Sequence, residues 1–367
     1  MTQLEQAVYP RGKIAGPFPA LSSRPDEAYI DFIADARNFL LHAQQYPLAD
    51  YSRKLLGEAG VGMSPDPANT RRAIDVLMQD PAVKTYYRLK RSLQEAFWNR
   101  VQQSFGSRRE EILKAFDAAD HMGPGTVSYD DKKPLPDYAR VEIHLQPGGY
   151  HHDELSGFLY HYGTKVFFRG DNDRDELHEK LVGLVPGPAD GKVRRILDLA
   201  CSVGQSTTTF KRRYPQAEVT GIDYSAPMVR VAHRRAAMLG DDVTFSQRLI
   251  EDTRYPDAHF DITFAFIVFH ELPQRIVRET VREAARVTRP GGVFAIYDFN
   301  PSNTMSPFQL HHRDFDAAHN GEPYSQDFCD CDLDAILAEH GFSVAASPLA
   351  KRSGGVGYMK HWFATRG

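Results

Sequence analysis

The segment Ile196 to Gly204, ILDLACSVG, is an apolar run that ends in an acid and then delivers small residues to a glycine. Small residues at such a point let the backbone approach a bound ligand closely. One apolar run later, VTGIDY ends in Asp223, and an acid at the tip of a strand can accept hydrogen bonds from both hydroxyls of a ribose. Either signal alone is weak, but together the two strand ends describe an adenosine site. A third candidate is His270-Glu271, which follows the run FAFIVF at the carboxyl end of another expected strand. An imidazole with an ordinary pKa of about 6.5 could take a proton from a phenol or an amine there. The plainer alternatives are that His270 caps a turn or lines a pocket, and that Glu271 bonds nearby backbone. Two further clusters could shape the pocket of a second substrate. One comprises Tyr150, His151, His152, Asp153, Tyr160, His161 and Tyr162; the other comprises His311, His312, Asp314 and His319. Adjacent histidines usually point apart and no third ligand follows at a recognisable spacing, so no metal is expected.

The elements that must position these groups change character halfway along the chain. The first half is mainly helical, with Ile30, Ile33, Phe39 and Leu40 at helical spacing after Asp26. A second stretch from about Asn69 carries Ile74, Leu77 and Met78 before Pro81 and continues through Val83, Tyr87, Phe97 and Val101. A third runs from Arg108 to about Ala119. Residues 123–170 form a connector, Gly- and Pro-rich at its start, in which Val141 to Leu145 alternates as a short strand would. A helix from about Asp173 to Val182 closes a mainly α-helical domain over 1–185. From about 190 to 367 the pattern becomes strand, turn, helix, which predicts a parallel sheet covered on both faces. In it RIVRETVREAARV is a helix closed by Pro290 and Gly291, and the last residues form a closing strand pair.

The segments ILDLACSVGQST, VTGIDYSAPMV, IEDTRYPDAHFDITFAFIVFHELP and RVTRPGGVFAIYDF resemble, in order and spacing, the motifs of class I S-adenosylmethionine-dependent methyltransferases. The likeness covers about residues 192–300, and the closing strands extend it to the end of the chain. It implies an α/β fold, a Rossmann-like seven-stranded sheet, mostly parallel with an antiparallel closing strand, and S-adenosylmethionine as cofactor. Asp198 and the loop through Ala200, Ser202 and Gly204 would face the methionine part, Asp223 would hold the ribose diol, and Tyr224 and Met228 would flank the adenine. Ala200 and Ser202 stand where relatives usually have glycine, and Leu249 stands where many have an acid. Glu251, Asp252 or the backbone of Ile250 would then meet the adenine amine, with Phe266 at the end of the fourth strand also on the cofactor.

Composition narrows the partners. The 367 residues carry 44 Lys and Arg against 48 Asp and Glu, a formal charge of −4, without the basic footprint that nucleic acid demands. The basic pairs Arg71-Arg72, Lys90-Arg91 and Arg234-Arg235 read as solvated helix faces. The longest apolar run, Ile262 to Phe269, falls far short of the roughly 20 residues that span a bilayer. The opening MTQLEQAVYP has no hydrophobic signal, and Cys201, Cys329 and Cys331 do not make a disulfide framework. A cytoplasmic methyltransferase for a small-molecule acceptor, with oxygen, nitrogen or carbon as the methylated atom, is therefore expected, with the helical half as cover, homodimer interface or both. A nicotinamide-dependent oxidoreductase is less well matched, because ACSVGQ is not Gly-x-Gly-x-x-Gly. A non-catalytic cofactor-binding subunit remains the alternative from outside enzymology.

Overall fold

A computed structural model describes residues 20–130, 132–168, 172, 174–345 and 359–367. The opening decapeptide and the segment joining the last two strands lie outside these residues. Helices come first: α1 (Arg24–Asn38), which runs through a π-helical stretch at Phe39–Gln44 into α2 (Gln45–Glu58), then α3 (Pro67–Leu77), α4 (Pro81–Gly106) and α5 (Arg109–Ala119). Their starts follow from local chemistry. Ser23, not Asp26, caps α1; Asp66 and Asp80 cap α3 and α4, each with a proline in the first turn. The apolar stripe on either side of Pro81 therefore belongs to two helices rather than one.

The connector yields a strand, but not at the expected place. Val141–Leu145 forms no strand; Ile143–Leu145 is a 3₁₀ turn with His144 and Leu145 at φ of 55° and 58°. Its polar groups find tertiary partners instead of a ladder. The His144 carbonyl accepts from Trp98 Nε1 (2.8 Å) and Gln94 Nε2, and its N–H donates to the Gly321 carbonyl at 3.2 Å. The strand is β1 (Thr126–Ser128), parallel to β4, so the sheet has eight strands rather than seven. Gly125 makes that pairing accessible: at φ +88° any Cβ would run into the Val243 backbone.

After α6 (Ser156–Phe167) and α7 (Glu176–Leu184) come the alternating elements β2 (Arg195–Leu199), α8 (Gln205–Arg213), β3 (Glu218–Asp223), α9 (Ala226–Leu239), β4 (Thr244–Gln247), β5 (Phe260–Phe266), α10 (Gln274–Val287) and β6 (Thr288–Phe299). Then follow α11 (Pro307–His319), α12 (Ser325–Cys329), α13 (Leu333–Glu339), β7 (Phe342–Ala345) and β8 (Met359–Arg366). The sheet order is β1-β4-β3-β2-β5-β6-β8-β7, parallel through β6, with β8 antiparallel to both of its neighbours. Pro290 and Gly291 do not close α10; they lie inside β6, where the register against β5 shifts, because α10 already ends at Val287. Strands of this kind are buried on both faces, which is why their sequences are continuous apolar runs.

Two apolar layers flank the sheet, and a third core joins it to the helices. Phe97, Trp98, Phe105, Phe116, Phe158 and Tyr162 pack together with Val203, Met228 and Val231 from the far side of the expected boundary at 185–190. No described helix is long and apolar enough to cross a membrane.

Candidate active site

The order reversal between β2 and β5 opens a crevice at the carboxyl ends of the parallel strands, where ligands of doubly wound sheets bind. A cavity with roughly 1000 Å³ of space not filled by atoms lies there. Its floor comes from the strand ends: Asp198 near the end of β2 with Ala200 and Ser202 after it, Asp223 as the last residue of β3 with Tyr224 after it, Leu249 and Ile250 after β4, and Phe266 at the end of β5. Its roof comes from the connector, α6 and the stretch into α7, through Tyr138, Tyr150, Tyr160, Phe168 and His178. Met228 of α9 and Glu271 complete the wall.

The loop after β2 forms without its usual glycines because Ala200 and Ser202 adopt φ of 53° and 45°, a strained backbone that tertiary contacts hold. Asp223 supplies one of them: its Oδ2 accepts from the Ser202 N–H at 3.0 Å and its Oδ1 from the Ser225 N–H at 2.9 Å. Burial pushes the Asp223 carboxyl up to about 6 despite these bonds. Asp198 accepts from the Thr207 hydroxyl at 2.6 Å, and burial, with the nearby Asp223 charge adding to it, raises its carboxyl to about 7. Two buried carboxylates with hydrogen-bond partners but little charge compensation thus face one cavity, a set suited to hydroxyl and ammonium donors.

Another part of the cavity wall is built around Glu271, whose charge also acts on Asp223. Tyr150 donates to its Oε1 at 3.1 Å, and His144 Nε2 lies 3.4 Å from the same oxygen. His144 Nδ1 lies 3.1 Å from Oε1 of the buried Glu322. Burial alone would lower the His144 imidazole, yet the bonds to Glu271 and Glu322 raise it to about 10. His270 sits behind this group, with Nδ1 2.7 Å from Asp298 Oδ1 and its ring stacked 3.9 Å from that of Phe299. The backbone N–H groups of Phe269 (2.8 Å) and Phe299 (2.7 Å) donate to Asp298 and fix its carboxylate.

Several residues singled out from the sequence stand elsewhere. Tyr162 is wholly buried in the helical core and donates to Glu27 at 2.7 Å, so it does not reach the cavity. His311 and His312 pack against Tyr87, with His312 Nε2 3.0 Å from Lys90 Nζ, in the contact of α11 with α4. His152 is exposed, and His151 lies beside the Tyr224 ring at 6.3 Å without lining the cavity. Asp252 is exposed and paired with Arg254, whereas Glu251 accepts from the cavity residue Tyr138 at 2.5 Å. Gly204 starts α8 at φ +76° against Phe245, behind the loop. Conversely, His144, Asp298 and Glu322 carried no role in the sequence reading. An acid inside the apolar run VFAIYDF was the available signal for Asp298; nothing local announced the other two.

Residues 196–292 match a family profile described as a methyltransferase domain. Among curated proteins, the chain is 36% identical over 125 residues to the 27-O-demethylrifamycin SV methyltransferase of Amycolatopsis mediterranei, covering 34% of this chain and 44% of that one. It is 35% identical over 111 residues to the demethylmenaquinone methyltransferase of Thermus thermophilus, covering 29% and 48%. The chain thus spans about half the length of these curated relatives. Among solved structures, an O-methyltransferase family protein from Burkholderia thailandensis aligns at 17% identity over 75% of this chain and 71% of that one, with a TM-score of 0.47. With the profile covering β2 to the start of β6, the C-terminal half of the chain carries a class I S-adenosylmethionine-dependent methyltransferase domain.

Proposed function

We propose that the protein transfers a methyl group from S-adenosylmethionine to an oxygen or nitrogen nucleophile of a small molecule held between the helical layer and the carboxyl end of the sheet. The observation that carries this reading is the shared cavity, lined by Asp198 and Asp223 together with Tyr150 and Glu271, the last of which contacts His144 behind it. S-adenosylmethionine, when bound, supplies an electrophilic methyl group on a sulfonium.

The residues present fit that group. Asp223 offers a buried carboxylate for vicinal hydroxyls, and Asp198 offers a second for an ammonium. Tyr224, Met228, Ile250 and Phe266 provide the apolar faces that an adenine or a thioether requires. Alignment and water exclusion supply much of what a displacement at carbon needs, and the aromatic roof does both. Glu271, which lines the cavity, is the group to which an acceptor's proton would pass, with His270 behind it as the next candidate. A chain with a formal charge of −4 favours a small acceptor over nucleic acid. The acceptors of its relatives differ, so the acceptor is named here only by class.

Parallel calorimetric titrations with S-adenosylmethionine, S-adenosylhomocysteine and NADH test the reading. Binding of the first two alone, followed by methyl transfer to a panel of phenols, carboxylic acids and amines, is the expected result. Binding of none, or of NADH only, would overturn it.

A further inference from the structure

We propose that His144, His270 and Glu271 form a divalent-metal site at the acceptor end of the cavity. One ligand atom from each residue lies within 4.8 Å of the others. His144 Nε2 and Glu271 Oε1 stand 3.4 Å apart, close to the separation of about 3.4 Å between neighbouring ligands in a tetrahedral site with bonds of about 2.1 Å. Two imidazoles and one carboxylate, with a further position facing a cavity, are the donor set of open zinc and related first-row metal sites.

Proximity alone would not distinguish a ligand set from a polar cluster; the second shell does. Each histidine has its Nδ1 held by a carboxylate, His270 by Asp298 at 2.7 Å and His144 by Glu322 at 3.1 Å. That arrangement holds a proton on Nδ1, so Nε2 is the atom each imidazole would offer, as in metal centres where a carboxylate orients each ligating imidazole. At His144 the ion would displace the second proton, which the imidazole shares with Glu271 without metal. Both supports are themselves fixed. Asp298 takes two backbone N–H bonds, and Glu322 is buried beside Gly321, whose carbonyl accepts from the His144 N–H. His144 is held in a left-handed conformation by Trp98 and Gln94 on its carbonyl, a strained backbone that aims one side chain at one point. Three carboxylates, Glu271, Glu322 and Asp298, converge on two imidazoles, and a dication offsets that excess of buried negative charge.

Of the three ligands Glu271 lines the cavity, so the ion would sit at the cavity's margin and would select acceptors that carry a hydroxyl or carboxylate oxygen. This role in acceptor choice rests on the methyl-transfer reading; ion binding itself does not.

The test uses the full chain, stripped with a chelator and titrated with Co²⁺ and with Zn²⁺, without cofactor or acceptor. One equivalent of Co²⁺ should bind and give visible absorption bands of nitrogen- and oxygen-ligated cobalt, and Zn²⁺ should displace it. Glu271→Gln and His144→Ala should each weaken binding by at least about 10-fold, and Glu322→Gln, which removes only a positioning group, should also weaken it by about 10-fold. Circular dichroism checks that each variant is folded, and the near-isosteric Glu271→Gln and Glu322→Gln keep the test valid should His144→Ala fail to fold. Absence of stoichiometric binding to the unsubstituted chain would overturn the proposal, as would unchanged binding in folded Glu271→Gln, and would leave a protonated His144 as the bridge between the two carboxylates. S-adenosylhomocysteine binding, measured on the same sample, reports separately on the methyl-transfer reading.

Discussion

Asp298 Oδ1 lies 2.7 Å from Nδ1 of His270, and neither side chain is more than 3% exposed. The pair fixes which imidazole nitrogen carries the proton and which way the ring faces. Asp298→Asn preserves the volume but can donate to Nδ1, reversing that preference. It should slow methyl transfer by about 10- to 100-fold. His270→Ala should slow it by about 100-fold or more. In both variants S-adenosylhomocysteine affinity should stay unchanged by calorimetry, because His270 is not among the residues that line the cavity. A loss confined to cofactor binding would remove the pair from the acceptor site.

Asp223 plays two parts, holding the Ser202 loop and facing the cavity. Asp223→Ala should weaken S-adenosylmethionine binding by about 1–3 kcal/mol, since buried hydroxyls would lose their acceptor. Asp223→Asn, which still offers one acceptor oxygen, should cost less. Equal affinity for all three forms would place the ribose elsewhere.

The two raised carboxyls also set a pH dependence. Asp198 at about 7 and Asp223 at about 6 both lie above their unfolded values, so the native state favours their protonated forms. The stability this contributes is complete below the unfolded values and is lost as pH rises through 6 to 7. The ligand-free protein should therefore lose thermal stability between about pH 4 and 7 through these groups, with no further loss from them above that, and Asp198→Asn should flatten that slope. Cofactor affinity should run the opposite way, rising over the same interval as the acceptors ionise. Parallel thermal melts and calorimetry across this range check both signs, and a flat affinity profile would disconnect the carboxylates from the cofactor.

The parallel strands and their terminal acids were legible because burial on both faces leaves uninterrupted apolar runs, and an acid ending such a run stands out. Asp198, Asp223, Tyr224, Met228 and Phe266 meet in one cavity for that reason. Val141–Leu145 misled because alternation describes a strand only if a ladder partner exists; here side chains of α4 and the backbone of Gly321 take its polar groups. His311 and His312 misled differently. Adjacency in sequence sends neighbouring helical side chains in different directions, and both ended in the packing of α11 on α4. The set around Glu271 joins the connector, the turn after β5 and the loop after α11, and no local pattern records a meeting of three distant segments.

Trp98 ties the helical layer to the site, since its indole N–H donates to the His144 carbonyl at 2.8 Å while its ring is buried. Trp98→Phe keeps most of the packing and removes the donor. It should destabilise the fold by about 1–3 kcal/mol in denaturant unfolding. It should also raise the KM for the acceptor more than that for the cofactor, because the turn it anchors carries His144. A stability loss with both KM values unchanged would mean that the turn holds its shape without the indole.

Gly321 provides the sharpest separation of geometry from chemistry, because it has no side chain to contribute and lies outside the cavity lining. Its φ is +72°, and a Cβ there would run into the Glu142 carbonyl and approach the His144 and Leu145 amides at about 3 Å. Gly321→Ala must therefore shift the α11–α12 loop, carrying Glu322 away from His144 Nδ1. The strain should cost about 1–3 kcal/mol of stability. The displaced carboxylate should leave S-adenosylhomocysteine binding intact while turnover falls, since Asp198 and Asp223 line the cavity and Glu322 does not. Calorimetry and initial rates on the same preparation distinguish the two effects. A variant that keeps full turnover would show that the placement of Glu322 is irrelevant to the reaction, whereas parallel loss of cofactor binding would show that the loop supports the whole crevice rather than its acceptor end.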